Sequence, residues 1–172
     1  MPIRYIETGR LILTPLTAED APDVFEWTGD PEVNRYMPYP LHKDISETVS
    51  WISGLGDKYE FGFRLKDGEK LIGAGSVVRR DGFSGLELGY NLNRRYWGQG
   101  YATEAARGLI YWARDSLGEY EFFARHAVEN TASGRVLEKC GFTYTHDGEY
   151  SRIDGSETFR ARCYYLDFGL PF

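Results

Sequence analysis

Apolar and polar residues alternate over residues 10–16, the period of a short strand with one buried face. Thr17-Ala18-Glu19-Asp20 then supplies a capping hydroxyl with acids in the first turn, so a helix starts there. It carries Val24, Phe25 and Trp27 and breaks at Gly29-Asp30-Pro31. Residues 31–40 hold three prolines and two tyrosines, the make-up of an ordered loop. A second helix is expected over residues 44–54, burying Ile45, Val49 and Ile52. Three strands follow, over residues 59–66, 70–79 and 85–93. Asp67-Gly68 and Asp81-Gly82 between them are hairpin signals, which predicts an antiparallel meander.

Further along, Ala106, Leu109, Ile110, Ala113 and Leu117 share one face of a helix that ends near Gly118. Residues 120–128 alternate and are rich in Phe, so a strand, a helix and a strand succeed one another: a right-handed parallel crossover. Residues 130–140 form another helix with Val136, Leu137 and Cys140 inward. Gly141 supplies its left-handed end and Phe142 the hydrophobic contact beyond it. A terminal hairpin, residues 142–153 and 158–168, turns at Asp154-Gly155. With no repeat, low-complexity segment or linker, the fold class is α/β (α+β). The sheet is mixed and mostly antiparallel, with one parallel β-α-β crossover, helices on both faces and a C-terminal β-hairpin. One domain is expected over residues 1–172, with a core of about 9–169.

Composition narrows the partners. A net charge of -6, with Lys and Arg scattered rather than gathered in a stripe, argues against nucleic acid and favours a cationic substrate such as an amine. The first residues are too poor in apolar side chains for a signal peptide, and no apolar run is long enough to span a bilayer, so a cytoplasmic location with no membrane partner is expected. Cys140 and Cys163 then read as reduced, inert thiols. His42 and His146 lack metal-ligand spacing, and no metal is expected.

The chemistry concentrates in Trp97-Gly98-Gln99-Gly100-Tyr101-Ala102-Thr103-Glu104-Ala105, a glycine loop between a strand and a helix. Such a junction binds anions, because glycines let the backbone approach a ligand and the first N–H groups of a helix have no internal partner. A nucleotide P-loop is poorly supported, because the Gly-Lys-Ser/Thr end is missing. A dinucleotide fold fits poorly, although Glu119 or Glu121 lies where a ribose-binding acid is expected. Thr103 stands where its third glycine belongs, and one crossover cannot make a doubly wound sheet.

The meander, glycine loop, crossover and terminal hairpin together resemble the GNAT superfamily of N-acetyltransferases, which bind acetyl-coenzyme A. Leu88-Gly89-Tyr90-Asn91-Leu92-Asn93, the Tyr96–Ala105 stretch, Asn130-Thr131-Ala132-Ser133 and Leu137-Glu138-Lys139-Cys140-Gly141-Phe142 are similar to the ribosomal-protein N-terminal acetyltransferase subgroup, the RimJ/RimL type. Trp97-x-x-Gly100-x-Ala102 matches the superfamily's Gln/Arg-x-x-Gly-x-Gly/Ala signature, with Trp97 in the polar slot as in the subgroup.

The resemblance implies acetyl transfer from acetyl-CoA to a primary amine, a protein or peptide N-terminus above all, by direct attack in a ternary complex. Its alternatives are a small-molecule amine (polyamine, amino acid or antibiotic) as acceptor, or a non-catalytic acyl-CoA-binding module. Backbone N–H groups of Gly98, Gln99, Gly100, Tyr101, Ala102 and Thr103 would hold the pyrophosphate, with Trp97 beside them and Arg94 and Arg95 adding positive charge. Tyr90, Asn91 and Leu92 would run beside the thioester, and an N–H there would stabilise the oxyanion. Asn130, otherwise a plain N-cap, would contact the coenzyme arm. Ser133 or a water would protonate the departing sulfur, since the superfamily's acid Tyr is replaced by Leu137. Glu87 is the candidate general base, against the alternative of an outward carboxylate; Glu104 reads as structural. Asn34, Tyr36 and Met37, with Arg35 and Tyr39 around them, are the candidate acceptor contacts. Either a monomer or a homodimer is compatible with these features.

Overall fold

A computed structural model describes residues 1–170. Its strands are β1 (Ile6–Glu7), β2 (Leu11–Thr14), β3 (Glu60–Leu65), β4 (Leu71–Arg79), β5 (Leu86–Leu92), β6 (Glu121–Ala127), β7 (Thr143–Ser151) and β8 (Thr158–Asp167). The helices are α1 (Ala21–Thr28), α2 (Pro31–Asn34), α3 (Ile45–Ser53), α4 (Tyr101–Leu117) and α5 (Thr131–Lys139). All eight strands join one sheet in the order β1-β2-β3-β4-β5-β6-β8-β7. Every neighbouring pair is antiparallel except β5 and β6, which the α4 crossover makes parallel.

The expected mixed α/β fold is therefore present, and its helices cover both faces. Ala74 of β4 packs with Val24 and Trp27 of α1 and Ile52 of α3. Val77, an odd number of positions along the same strand, packs with Leu109 and Ile110 of α4. Residues at odd spacing on a strand point to opposite faces, so α1 and α3 lie on one side of the sheet and α4 on the other. Among the described residues no helix is long and apolar enough to cross a membrane.

Three local features depart from the sequence reading. Strand β1 was not expected, being only two residues long. The expected loop over residues 31–40 begins with the short helix α2, because the Asp30 carboxylate accepts from the Glu32 N–H and Pro31 occupies the first helical position. Helix α3 falls within the expected bounds, with Asp44 capping it and Gly54 at its end, but Ile45 and Val49 are 43% and 37% exposed. Thr48 is buried in their place beside Ile52, its hydroxyl satisfied by Thr28 at 3.0 Å and by His42 Nδ1 at 2.8 Å. A polar residue with two partners is cheap to bury, which a hydrophobicity pattern does not register.

The sheet is split at its centre. β4 pairs with β5 along its whole length, from Arg79 and Leu86 to Gly73 and Leu92. Between β5 and β6 only two pairs form, Leu86 with Phe122 and Glu87 with Phe123. From Leu88 to Leu92 the β6-facing edge of β5 has no strand partner among the described residues, so apart from the Leu92 carbonyl, which Trp97 Nε1 engages, its backbone donors and acceptors are open to another chain or ligand.

Candidate active site

The glycine loop lies at the open end of this split. Asn93 Oδ1 accepts from the Arg95 N–H at 3.1 Å and starts a single 3-10 turn, Arg94–Tyr96. Trp97 Nε1 then donates to the Leu92 carbonyl at 2.9 Å, tying the loop back to β5. Gly98 and Gly100 follow with φ of 73° and 82°, left-handed values that favour glycine, and α4 starts at Tyr101 with no side chain capping its first turn. A Cβ built on Gly98 meets nothing within 4 Å. Uncapped N–H groups facing open space fit a phosphate.

Charge at the loop comes from a residue the sequence did not flag. Arg10 donates from Nη1 to the Gln99 carbonyl at 2.9 Å and from Nε to Glu104 Oε2 at 2.7 Å, and its guanidinium lies 4.0 Å from the Tyr101 ring centroid. Glu104 also accepts from Thr8 Oγ1 and from the Arg10 N–H, both at 2.6 Å. Burial pushes the Glu104 carboxyl up, but the hydrogen bonds from Thr8 and Arg10 outweigh it and hold the group below its ordinary range. Glu104 is thus the anchor of Arg10, the structural role expected of it. Arg94 is turned away into a 3.0 Å ion pair with Asp30, which removes it from the expected positive cluster, while Arg95 stays exposed.

Across the split, α5 brings Ser133 to β5. Tyr90 Oη is 2.9 Å from Ser133 Oγ and donates to the Ser133 carbonyl at 3.2 Å. Burial raises the Tyr90 phenol, against a partial lowering by Ser133, so it stays protonated at neutral pH. Asn130 occupies the N-cap position of α5 but makes no cap hydrogen bond, leaving its amide for another partner. Leu137, in the superfamily's tyrosine slot, is buried in the core. The thiol of Cys140, pushed up to about 11 by burial, is protonated and unreactive.

The start of α5 rests on a close contact. A Cβ on Gly134 would stand 2.8 Å from His126 Nε2, and that ring is held by the Ala127 carbonyl at 2.6 Å. Gly134→Ala is therefore expected to destabilise the fold by about 1–3 kcal/mol through overpacking. Urea denaturation checks this, and a variant as stable as the parent would contradict the packing.

On the acceptor side the candidates separate. Asn34 is spent on the loop itself: Nδ2 donates to the Tyr39 carbonyl at 2.9 Å and Oδ1 accepts from Arg152 at 3.2 Å. Arg152 also holds the carbonyls of Arg35 at 2.8 Å and Met37 at 2.9 Å, while Tyr150 Oη donates to the Tyr36 carbonyl at 2.6 Å. Loop and terminal hairpin are thereby strapped together, and Asn34, Tyr36 and Met37 serve that strap through these groups. The residue that reaches β5 is Tyr39, whose hydroxyl meets the Asn91 amide. Glu87, the candidate base, has its carboxylate engaged by Arg125 at 3.1 Å and by Arg80 at 3.4 Å. Both arginines are remote or unremarkable in sequence, so nothing along the chain signalled this.

Among the described residues no group of three or more His, Cys, Asp or Glu is placed to hold a metal. The acetyltransferase (GNAT) domain family matches residues 10–143. The N-acetyltransferase p20 of Bacillus licheniformis is 32% identical over 142 residues, covering 78% of this chain and 80% of its own. In fold, the chain superposes on a GNAT-family acetyltransferase from Bacillus anthracis with a TM-score of 0.86 at 24% identity, over 95% of this chain and 98% of that one. Ribosomal-protein-S5-alanine acetyltransferase from Vibrio fischeri gives 0.75 at 19% identity, over 98% and 99%. With the split sheet, the glycine loop and these matches together, the chain belongs to the GNAT acetyltransferases and is an acetyl-CoA-dependent N-acetyltransferase.

Proposed function

We propose that this enzyme is of the RimJ/RimL type and acetylates the α-amine of a protein or peptide N-terminus by direct attack in a ternary complex. The observation that carries the reading is the Tyr90–Ser133 contact beside the unpaired edge of β5, in a chain with no tyrosine at position 137. The motif stretch from Leu88 to Phe142 and the fold shared with an S5-alanine acetyltransferase support it. Energetics favour an α-amine too: freeing a lysine side chain at pH 7 costs about 4–5 kcal/mol, an α-amine only about 1.

Acetyl-CoA supplies the activated thioester. The backbone N–H groups of residues 98–103 hold its pyrophosphate, with Arg10 behind them and Arg95 and Trp97 at the rim. The free edge of β5 at Tyr90, Asn91 and Leu92 pairs with the pantetheine arm, and an N–H there faces the thioester oxygen. Asn130 contacts the arm from α5. Ser133 Oγ, held 2.9 Å from Tyr90 Oη, is the group that would pass a proton to the departing sulfur.

Ser133→Ala is expected to lower turnover on the order of 10²-fold while acetyl-CoA still raises the melting temperature. Unchanged turnover removes Ser133 from the chemistry. The acceptor is settled by coenzyme-dependent thiol release with Ala- and Ser-initiated peptides against spermidine, free amino acids and an aminoglycoside. Preference for the small amines overturns the N-terminal reading, and binding without thiol release from any amine marks an acyl-CoA-binding module.

A further inference from the structure

The face of the sheet that carries α1 and α3 holds a second carboxylate aligned with the thioester edge. Glu60 of β3 is in register with Ser76 of β4, and Ser76 with Gly89 of β5. Cross-strand partners share a face, and Ser76 shares its face with Ala74, which packs against α1. Glu60, Ser76 and Gly89 therefore make a row across the sheet that ends where β5 loses its β6 partner. Gly89 leaves that row open: a Cβ there would meet only Ser76 Oγ, at 3.7 Å. Asn91, two residues on, holds the Tyr39 hydroxyl on the same face.

The two carboxylates on this face differ in their company. Glu87 is clamped by Arg80 and Arg125. Among the described residues Glu60 has no ion-pair partner within 4.0 Å; the groups that face it are Ser76, Lys58 and the Tyr39 phenol. We propose that Glu60 is the carboxylate that receives the acceptor: it binds the incoming ammonium in the gap above Gly89 and takes its proton, directly or through the Ser76 hydroxyl. The freed nitrogen lone pair forms the C–N bond and the C–S bond breaks; the nitrogen then sheds its second proton, which replaces the one passed from the Ser133 side to the departing thiolate, while Glu60 returns the first proton to solvent. Burial pushes the Glu60 carboxyl up to about 7, against the pull of Ser76 and Lys58. A base of that strength is close to an α-amine, so the proton crosses on nearly level ground.

This assignment rests on placing the acetyl group along β5, and the test separates the two. Acetyl-CoA must raise the melting temperature of wild type and Glu60→Gln alike; no shift in wild type defeats the coenzyme site rather than Glu60. With the peptide and polyamine probes, Glu60→Gln is expected to lower kcat/KM at pH 7 on the order of 10²-fold and to erase the limb of the pH profile near 7, with Glu60→Asp restoring part of both. Hydroxylamine, already unprotonated at neutral pH, should lose far less. A retained limb in Glu60→Gln, or its loss in Glu87→Gln instead, overturns the proposal.

A second readout needs no acceptor. Because the folded carboxyl binds its proton more tightly than the unfolded one, the native state holds the extra proton between the two values, and stability falls as pH rises from about 4.5 to about 7. Glu60→Gln lacks this loss, so its melting temperature should pull above that of wild type by several degrees at about pH 8 and close the gap near pH 4.5. Parallel curves overturn the proposal.

Discussion

Gly85→Ala should leave the chain unable to hold a stable fold. Gly85 sits at the apex of the split, next to Leu86, which makes the first of the two β5–β6 pairs. Its φ of 79° is left-handed, and a Cβ there would stand 2.1 Å from the Glu121 carbonyl oxygen and 2.4 Å from its carbon. Those atoms are backbone of the neighbouring strand and cannot swing aside as a flexible side chain would. To admit the methyl group, β5 and β6 must separate, which removes the pairing that, among the described residues, joins the two halves of the sheet. Such a clash belongs with the exceptional single changes above about 4 kcal/mol, a large share of a total stability of about 5–15 kcal/mol. Gly82→Ala is the control, since Gly82 has a similar φ of 82° but an added Cβ meets nothing within 4 Å. It should lose only the cost of the left-handed backbone, about 1–2 kcal/mol. Soluble yield, circular dichroism and urea denaturation separate the two, and equal stability would contradict the close approach of the strands at Gly85.

The same junction shows how far the sequence could be read. Asp-Gly turns between alternating runs, one helix of suitable length and a following strand were enough for the meander and the crossover, because those signals are local. The glycine loop was legible for the same reason: strand end, left-handed glycines and helix start are contiguous at residues 92–101. What completes the site is not contiguous. Arg10 reaches the loop from the bend just before the second strand, 94 residues before Glu104, and the sheet order puts it there. Glu87 looked free because Arg125, which holds it, arrives on β6. Glu60 carried no signal at all, since a lone acid opening a strand is ordinary until the register sets it opposite Ser76 and Gly89. Asn34 and Tyr36 read as recognition residues because polar and aromatic loop residues often are; their ties to Arg152, through the Asn34 side chain, and to Tyr150, through the Tyr36 carbonyl, come from the distant hairpin and were not legible.

The second large effect is expected at the coenzyme loop. Gly100→Val should abolish the stabilisation by acetyl-CoA. At a free ligand concentration of 100 times Kd, a ligand selective for the folded state adds about 2.7 kcal/mol. For a chain of this size that raises Tm by about 5–10 °C, taking roughly 2–4 °C per kcal/mol. Gly100 has φ of 82°, which a β-branched residue adopts only with strain, and a Cβ there lies 3.3 Å from Arg10 Nη2. Valine therefore turns the first N–H groups of α4 away from a common target and crowds the guanidinium off the Gln99 carbonyl. It also places two methyl groups where a phosphate would approach. General destabilisation alone would not cancel a binding shift, and Gly118→Val separates the two effects. Gly118 ends the same helix with φ of 70° and open space around it, so that variant bears similar backbone strain far from the loop. Its baseline Tm should fall, yet the coenzyme shift should survive in full. A Gly100→Val protein that keeps the shift would mean that the pyrophosphate lies elsewhere and that the left-handed turn before α4 serves only to start the helix.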